Sequence, residues 1–216
     1  MNGLKNGKGK EYILQNIIFE GEYLNGVRHG KGREYCKGGK IKFEGEYLNG
    51  ERWNGKGYDH QNNLKFELKN GCGKEKEYNF YRDILEFEGE YINGKKNGEG
   101  KEYDDIYGRL KFEGEYLNGE RHGKGKEYND GELKFEGEYL NGKRHGKGKE
   151  YYFGKLEFDG EYFNGERCGK GKEYAYNGKL IFEGEYLNGE RHGKGKEYAY
   201  NGKLIFEGEY LNGERN

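Results

Sequence analysis

The 216 residues contain no serine, no threonine and no proline. Without a hydroxyl nucleophile there is no Ser-His-Asp triad, no phosphate loop ending in Lys-Ser/Thr, no N-glycosylation sequon and no Ser/Thr phosphosite. Cysteine is scarce. Cys36, Cys72 and Cys168 are too few and too irregularly spaced for a disulfide framework or a zinc site, which makes a reducing compartment the default. An excess of one charge is missing as well. The 39 Lys+Arg and 40 Asp+Glu leave a net charge of −1, so no global field gathers nucleic acid. No run approaches the ~18 apolar residues of a membrane span, and the first residues lack the apolar core of a secretory signal. The expectation is a soluble cytoplasmic protein with no cofactor and no nucleic-acid partner.

What is present is 42 Gly and 22 Tyr, with aromatics at 16% and charged residues at 37%. A charged chain poor in aliphatics invites disorder, but disordered chains are aromatic-poor and carry a large net charge. Here the apolar content resides in rings. That predicts a thin, aromatic-packed architecture without a multilayer hydrophobic core.

Repeats dominate the chain. A unit of the form Phe-Glu-Gly-Glu-Tyr-Leu-Asn-Gly-x-Arg-His-Gly-Lys-Gly-Lys-Glu-Tyr starts at Phe19, Phe43, Phe66, Phe87, Phe112, Phe135, Phe158, Phe182 and Phe206, and Gly169 to Arg191 recurs identically as Gly193 to Arg215. The expectation is one array over residues 1–216, about nine units with partial units at both ends. A segment of a longer protein is the alternative reading of those mid-unit ends.

Alternation within a unit has period two, the signature of a strand. Leu180, Phe182, Gly184 and Tyr186 then share one face, and Glu183 and Glu185 the other. Asn188-Gly189 supplies a turn. Reversal there sets Gly184 opposite Gly193, Phe182 opposite Gly195, Glu185 opposite His192 and Glu183 opposite Lys194. Reversal at Asn201-Gly202 sets Phe206 opposite Glu197, Gly208 opposite Gly195, Tyr210 opposite Gly193, Glu207 opposite Lys196 and Glu209 opposite Lys194. One face carries Leu, Phe, Tyr and Gly, with glycine leaving a hollow for a ring, and Glu197 and its equivalents join that face. The other is a Glu/Lys ladder worth about 0.2–1 kcal/mol per cross-strand pair. The unit from Phe66 is four residues short, and a local dent is expected there. Such a sheet twists into a rod or trough with open edges.

The pattern Phe-Glu-Gly-Glu-Tyr-x-Asn-Gly-x-x-His-Gly-x-Gly closely resembles the MORN repeat, the "membrane occupation and recognition nexus" unit, over essentially the whole chain. The resemblance implies an all-β fold: an elongated, single-layer, twisted antiparallel sheet of tandem β-hairpins with a groove. It also implies scaffolding, dimerisation or binding of partner segments, with phosphoinositide association as an alternative role.

Several residues invite a functional reading. Exposed aromatic patches mark interfaces, so the Tyr row on the ring face (Tyr23, Tyr47, Tyr91, Tyr116, Tyr139, Tyr162, Tyr186 and Tyr210) is the candidate partner-binding groove. Trp53, in an altered turn, is either loop packing or a contact anchor. Lys124, Lys147, Lys170 and Lys194 are candidate contacts for anionic lipid headgroups, against the plainer reading of a solvated ladder. His29, His122, His145 and His192 share one repeat position with Cys168. Units recur every ~10 Å, too far apart for one zinc, so no metal site is expected. Paired carboxylates such as Glu183 and Glu185 recur on a flat exposed face with nothing to separate their pKa values, so no catalytic residue is expected. The function expected from the sequence is a non-enzymatic scaffold that binds a protein segment or a second copy of itself, with weak membrane or cytoskeleton association as a further partner reading.

Overall fold

The structure is a computed structural model that describes residues 3–82 and 84–216. Among the described residues there is no helix, and consecutive antiparallel hairpins build unclosed sheets. The chain divides into two compact units, the first Met1–Arg109 with Tyr116–Gly119, the second Leu110–Glu115 with Glu120–Asn216.

The first unit carries β1 (Gly7–Ile13), β2 (Asn16–Leu24), β3 (Val27–Tyr35), β4 (Ile41–Leu48), β5 (Glu51–Tyr58), β6 (Leu64–Leu68), β7 (Gly73–Tyr78), β8 (Leu85–Ile92) and β9 (Lys95–Tyr103). The second carries most of β10 (Leu110–Leu117), then β11 (Glu120–Asn129), β12 (Glu132–Leu140), β13 (Lys143–Tyr152), β14 (Lys155–Phe163), β15 (Glu166–Tyr174), β16 (Leu180–Leu187), β17 (Glu190–Tyr198), β18 (Leu204–Leu211) and β19 (Glu214–Arg215).

The Asn-Gly turns form as their composition dictates. Asn188 and Gly189 both have positive φ, 50° and 84°, as the tight hairpin turn requires. Each turn is tied to the one before it: the Gly189 amide donates to the Arg167 carbonyl at 2.9 Å and the Gly165 amide to that of Arg144 at 2.9 Å.

The β17–β18 register is the one expected, with Gly193 opposite Tyr210, Gly195 opposite Gly208 and Glu197 opposite Phe206. The β16–β17 register is not. Glu185 does face His192, but Gly184 pairs with Gly195, Glu183 with Lys196 and Phe182 with Glu197. Gly193 and Lys194 are two extra residues in a bulge, with Gly193 at φ +62°. An insertion of two keeps every side chain on its expected face while shifting its partners. The Glu185 carboxylate closes the bulge by accepting the Lys194 amide at 3.3 Å. A further bulge pairs Leu180 with Tyr174 and skips Ile181, which moves Leu180 off the ring face.

The core is a row of enclosed phenylalanines. Phe182 is wholly buried. A Cβ on Gly195 would lie 2.7 Å from its ring, so glycine is the residue that lets the ring lie on the backbone. Tyr186 and Tyr210 meet the same ring edge-on, at 5.6 and 5.2 Å.

In the first unit the regularity stops at the short unit. Strands β1–β6 form one sheet, β7 begins another, and an isolated Lys69–Cys72 bridge spans the gap.

Candidate functional site: a closed ring face and an open charged groove

The fourth wall of each phenylalanine is a cation. The Arg191 guanidinium lies 4.2 Å over the Phe182 ring and donates to Glu173 from Nε at 3.0 Å and Nη2 at 2.5 Å. The Tyr186 hydroxyl donates to the same Glu173 at 2.6 Å. Equivalent sets form with Arg144, Glu127 and Tyr139, and with Arg52, Glu34 and Tyr47. The acids expected on the ring face are therefore there, each joining an arginine and a tyrosine across neighbouring hairpins. Burial raises the Glu173 carboxyl, but Arg191 and Tyr186 more than offset it and hold it below its usual range. Burial and the adjacent Glu173 push the Tyr186 hydroxyl far up; the better-solvated Tyr23 is pushed up to about 12, by burial first and then Glu11.

This enclosure changes the standing of the tyrosine row. Tyr23, Tyr47, Tyr91, Tyr116, Tyr139, Tyr162, Tyr186 and Tyr210 are all only 2–5% exposed. The sequence suggests that such rings stay accessible; in the structure they are core, because the cation that follows the Asn-Gly turn, Arg191 over Phe182 or Lys96 over Phe87, folds back over the ring face. Arginine was the missed functional residue. The signal was its recurrence five residues after each Tyr of the row except Tyr91, where Lys96 stands, a spacing that returns it through the hairpin to the phenylalanine of the same strand.

Trp53 is not in a turn but within β5. It is partly buried, and a Cβ on Gly71 would lie 2.7 Å from its ring, which assigns it to packing. His145 packs against Phe163 at 5.5 Å with the rings tilted by 50°, and His29 accepts the Asn49 amide at 3.5 Å. Among the described residues no group of three or more His, Cys, Asp or Glu is placed to hold a metal, and no helix is long and apolar enough to cross a membrane.

The face that stays open is the charged one. In the second unit a groove of about 770 Å³ crosses β13–β18, lined by five lysines and six carboxylates, among them Lys170, Lys194, Glu183 and Glu207. In the first unit a groove of about 670 Å³ is lined by the equivalent Lys8, Glu20, Lys31 and Glu44. Near-equal numbers of charges give either groove little net field. Beyond the charges runs a second tyrosine column. The hydroxyls of Tyr128, Tyr151 and Tyr198 donate to Glu113, Glu136 and Glu183 at 2.7, 2.6 and 2.8 Å, and Tyr174 lines the groove itself.

The lysines of the charged face fall into two classes. Lys149, Lys172 and Lys196 pair with Asp159, Glu183 and Glu207 at 4.0, 3.8 and 3.2 Å. Lys124, Lys147, Lys170 and Lys194 are exposed, and no ion pair reaches their side chains among the described residues. The cause is the bulge: Glu161, which faces Lys147 across the ladder, turns instead to the Lys170 amide at 3.3 Å.

A family model for the MORN repeat matches residues 1–13, 19–41, 87–108, 112–132, 135–153, 158–179 and 182–203. The widest unmatched stretch, 42–86, contains the short unit. No curated protein matches the chain.

Proposed function

The chain belongs to the MORN repeat family, a non-enzymatic repeat type whose members are in general protein- and membrane-interaction modules, and from that premise we propose that it is a non-enzymatic protein-interaction scaffold of the cytoplasm whose contact surface is the charged groove. The observation that carries this reading is the contrast between the faces. The phenylalanines and tyrosines of the ring face are sealed beneath arginines and Lys96, whereas the groove presents charged and aromatic side chains to solvent. The tyrosine row then serves as rigid backing that fixes the groove's spacing, in place of the direct contact expected from the sequence.

Two matched variants test the assignment. Lys172→Glu with Lys196→Glu reverses charge in the groove, and Arg144→Lys with Arg191→Lys disturbs the ring face without emptying it. In affinity capture of cellular proteins, the groove variant is expected to lose bound proteins that the ring-face variant retains. Loss only with the ring-face variant would return the contact to the tyrosine side.

A second reading rests on the unpaired Lys124, Lys147, Lys170 and Lys194, which offer charge to anionic lipid headgroups. Co-sedimentation with phosphoinositide vesicles distinguishes it.

A further inference from the structure

The unpaired lysines form a row with a period, and the period selects a ligand. Lys124, Lys147, Lys170 and Lys194 sit on β11, β13, β15 and β17, one on every second strand. With strands ~4.8 Å apart, successive lysines stand on the order of 9.6 Å from one another. In the first unit the same repeat position holds Lys8, Lys31, Lys74 and Glu99. Lys74 there is paired with Glu90, so an unpaired run of four belongs to the second unit.

Three chain conformations can present acids to such a row. A β-strand fails, because residues three apart, at ~10 Å, point to opposite faces. An α-helix returns a residue to the same face after seven positions, at ~10.5 Å, which overshoots by almost 1 Å per rung and nearly 3 Å across the row. A polyproline II helix has three residues per turn at 3.1 Å each, so every third residue falls on one face at ~9.3 Å, within about 1 Å of the lysines over the whole row. A tyrosine column runs parallel to the lysine row, four residues or ~13 Å further along each strand and beyond the paired Lys149, Lys172 and Lys196, a width that the acid side chains of a bound segment and the lysine side chains can bridge. Polyproline segments dock on aromatic-lined grooves, and these rings are held in place by their hydroxyl bonds to Glu113, Glu136 and Glu183.

We propose that the groove of the second unit binds an extended, proline-rich partner segment in polyproline II conformation with an acidic residue at every third position, its acids on Lys124, Lys147, Lys170 and Lys194 and its prolines against Tyr151, Tyr174 and Tyr198. The proposal deepens the scaffold reading and rests on it. None of the 216 residues supplies the ligand, since the chain has no proline. Charge complementarity is local: Glu161 and Glu185, which face Lys147 and Lys170, close bulges instead of pairing with them. A planar membrane fits less well, because Lys147, Lys170 and Lys194 line the groove together with carboxylates such as Glu183 and Glu207, which repel anionic headgroups.

The test uses the full chain and synthetic peptides in fluorescence anisotropy. The probe is fluorescein-labelled (Glu-Pro-Pro)5, ~46 Å long as polyproline II. Its comparators are (Lys-Pro-Pro)5 and a helix-forming peptide with an acid every seventh residue. Replacing all four lysines by Gln removes exposed, unpaired charges and is expected to leave the fold intact, which circular dichroism checks. The expected result is that (Glu-Pro-Pro)5 binds best, that the quadruple variant weakens it about tenfold or more, in line with several exposed charge pairs acting together, and that raising salt from about 0.05 to about 0.3 M does the same. Binding of (Glu-Pro-Pro)5 by the quadruple variant within twofold of the parent overturns the proposal. So does tighter binding of the helical peptide, or absence of peptide binding. Lysine-dependent sedimentation with phosphoinositide vesicles in the absence of peptide binding assigns the row to lipid instead. If peptide binding fails while groove-dependent protein capture persists, the polyproline assignment falls and the scaffold reading stands; loss of both removes the scaffold reading as well.

Discussion

The hairpins of the second unit and the short unit within the first meet the same demand by different routes. In the regular hairpins, glycine faces glycine beneath a phenylalanine, and a glutamate opposite that phenylalanine joins the arginine above it, as with Gly171–Gly184 and Glu173–Phe182. In the short unit three of these positions are changed. Gly57 stands opposite Phe66 where the acid belongs, Leu68 faces Gly55 where a glycine belongs, and Glu75 faces Gly89 where another glycine belongs. The second change fills with an aliphatic side chain, 1% exposed, the hollow that rings occupy elsewhere. The third restores what the first removed, because Glu75 accepts from Arg52 at 2.8 Å. The comparison teaches that the arginine's demand for carboxylate is fixed, whereas the strand that supplies it is not.

Ring enclosure is the sharpest difference. Phe158 is 0% exposed, with Tyr162 and Tyr186 edge-on at 5.7 and 5.1 Å and Arg167 above it. Phe66 has no tyrosine from its own unit, lies parallel to Phe43 at 6.2 Å, and is 8% exposed. Phe158→Ala is expected to cost about 3–5 kcal/mol, the range for a buried ring left as a cavity. Phe66→Ala is expected to cost about half of that, since Leu68 and Arg52 can close on the space. Amide exchange in β15 and in β6, followed by mass spectrometry, reads the two separately. Equal losses would break the comparison.

Much of the regular array was legible in the sequence. Period-two alternation placed Phe, Gly and Tyr on one face, and Asn-Gly fixed the turns, because those signals are local. The β16–β17 register was not legible. It depends on the left-handed conformation of Gly193, and a glycine in a strand pattern does not declare its φ. The fate of the tyrosines was hidden for a different reason: their cover comes from arginines whose own partners lie on the preceding hairpin. Glu75 is the extreme case. Read along the chain it is a misplaced acid in a glycine position, and its purpose shows only once Arg52 is beside it.

Acid titration should separate the two regions by sign. Burial raises Glu75 to about 7, with Glu77 and Glu34 adding to the rise and Arg52 opposing it. A folded value above the unfolded 4.5 means the folded state holds the proton more tightly. This contribution is full below about pH 4.5 and is lost as pH rises through 7, to the extent of about 3 kcal/mol. In Glu34 burial is outweighed by Arg52, and the carboxyl falls to about 2; Glu173 is likewise lowered. Their contribution is present above about pH 4.5 and is lost as pH falls toward their folded values. Exchange protection in β7, corrected for intrinsic rates, is expected to fall between pH 6 and pH 8, and Glu75→Gln is expected to abolish that dependence. Protection in β15 should hold over the same interval and fall only in acid. A pH-independent β7 in the parent chain would mean that Arg52 keeps Glu75 ionised throughout.

The smallest effect concerns the cation itself. Over Phe135 and Phe182 the covering arginine also grips both oxygens of one glutamate, but in the first unit Lys96 takes that place, 3.8 Å over Phe87 and 3.2 Å from Glu77. An ammonium is a point charge that holds one carboxylate oxygen, whereas a guanidinium stacks flat and bonds both. Lys96→Arg is therefore expected to stabilise β8–β9 by about 0.5–1 kcal/mol, and Arg191→Lys to destabilise β16–β17 by a similar or slightly larger amount. Paired urea titrations measure both. If Lys96→Arg is neutral while Arg191→Lys is costly, the planar fork matters only where the acid is well enclosed, since a buried tyrosine holds both acids, Tyr186 on Glu173 and Tyr91 on Glu77, and Glu173 is the more enclosed of the two. If both are neutral, the cation's charge alone covers the ring, and the stacked geometry is a consequence of packing rather than a source of stability.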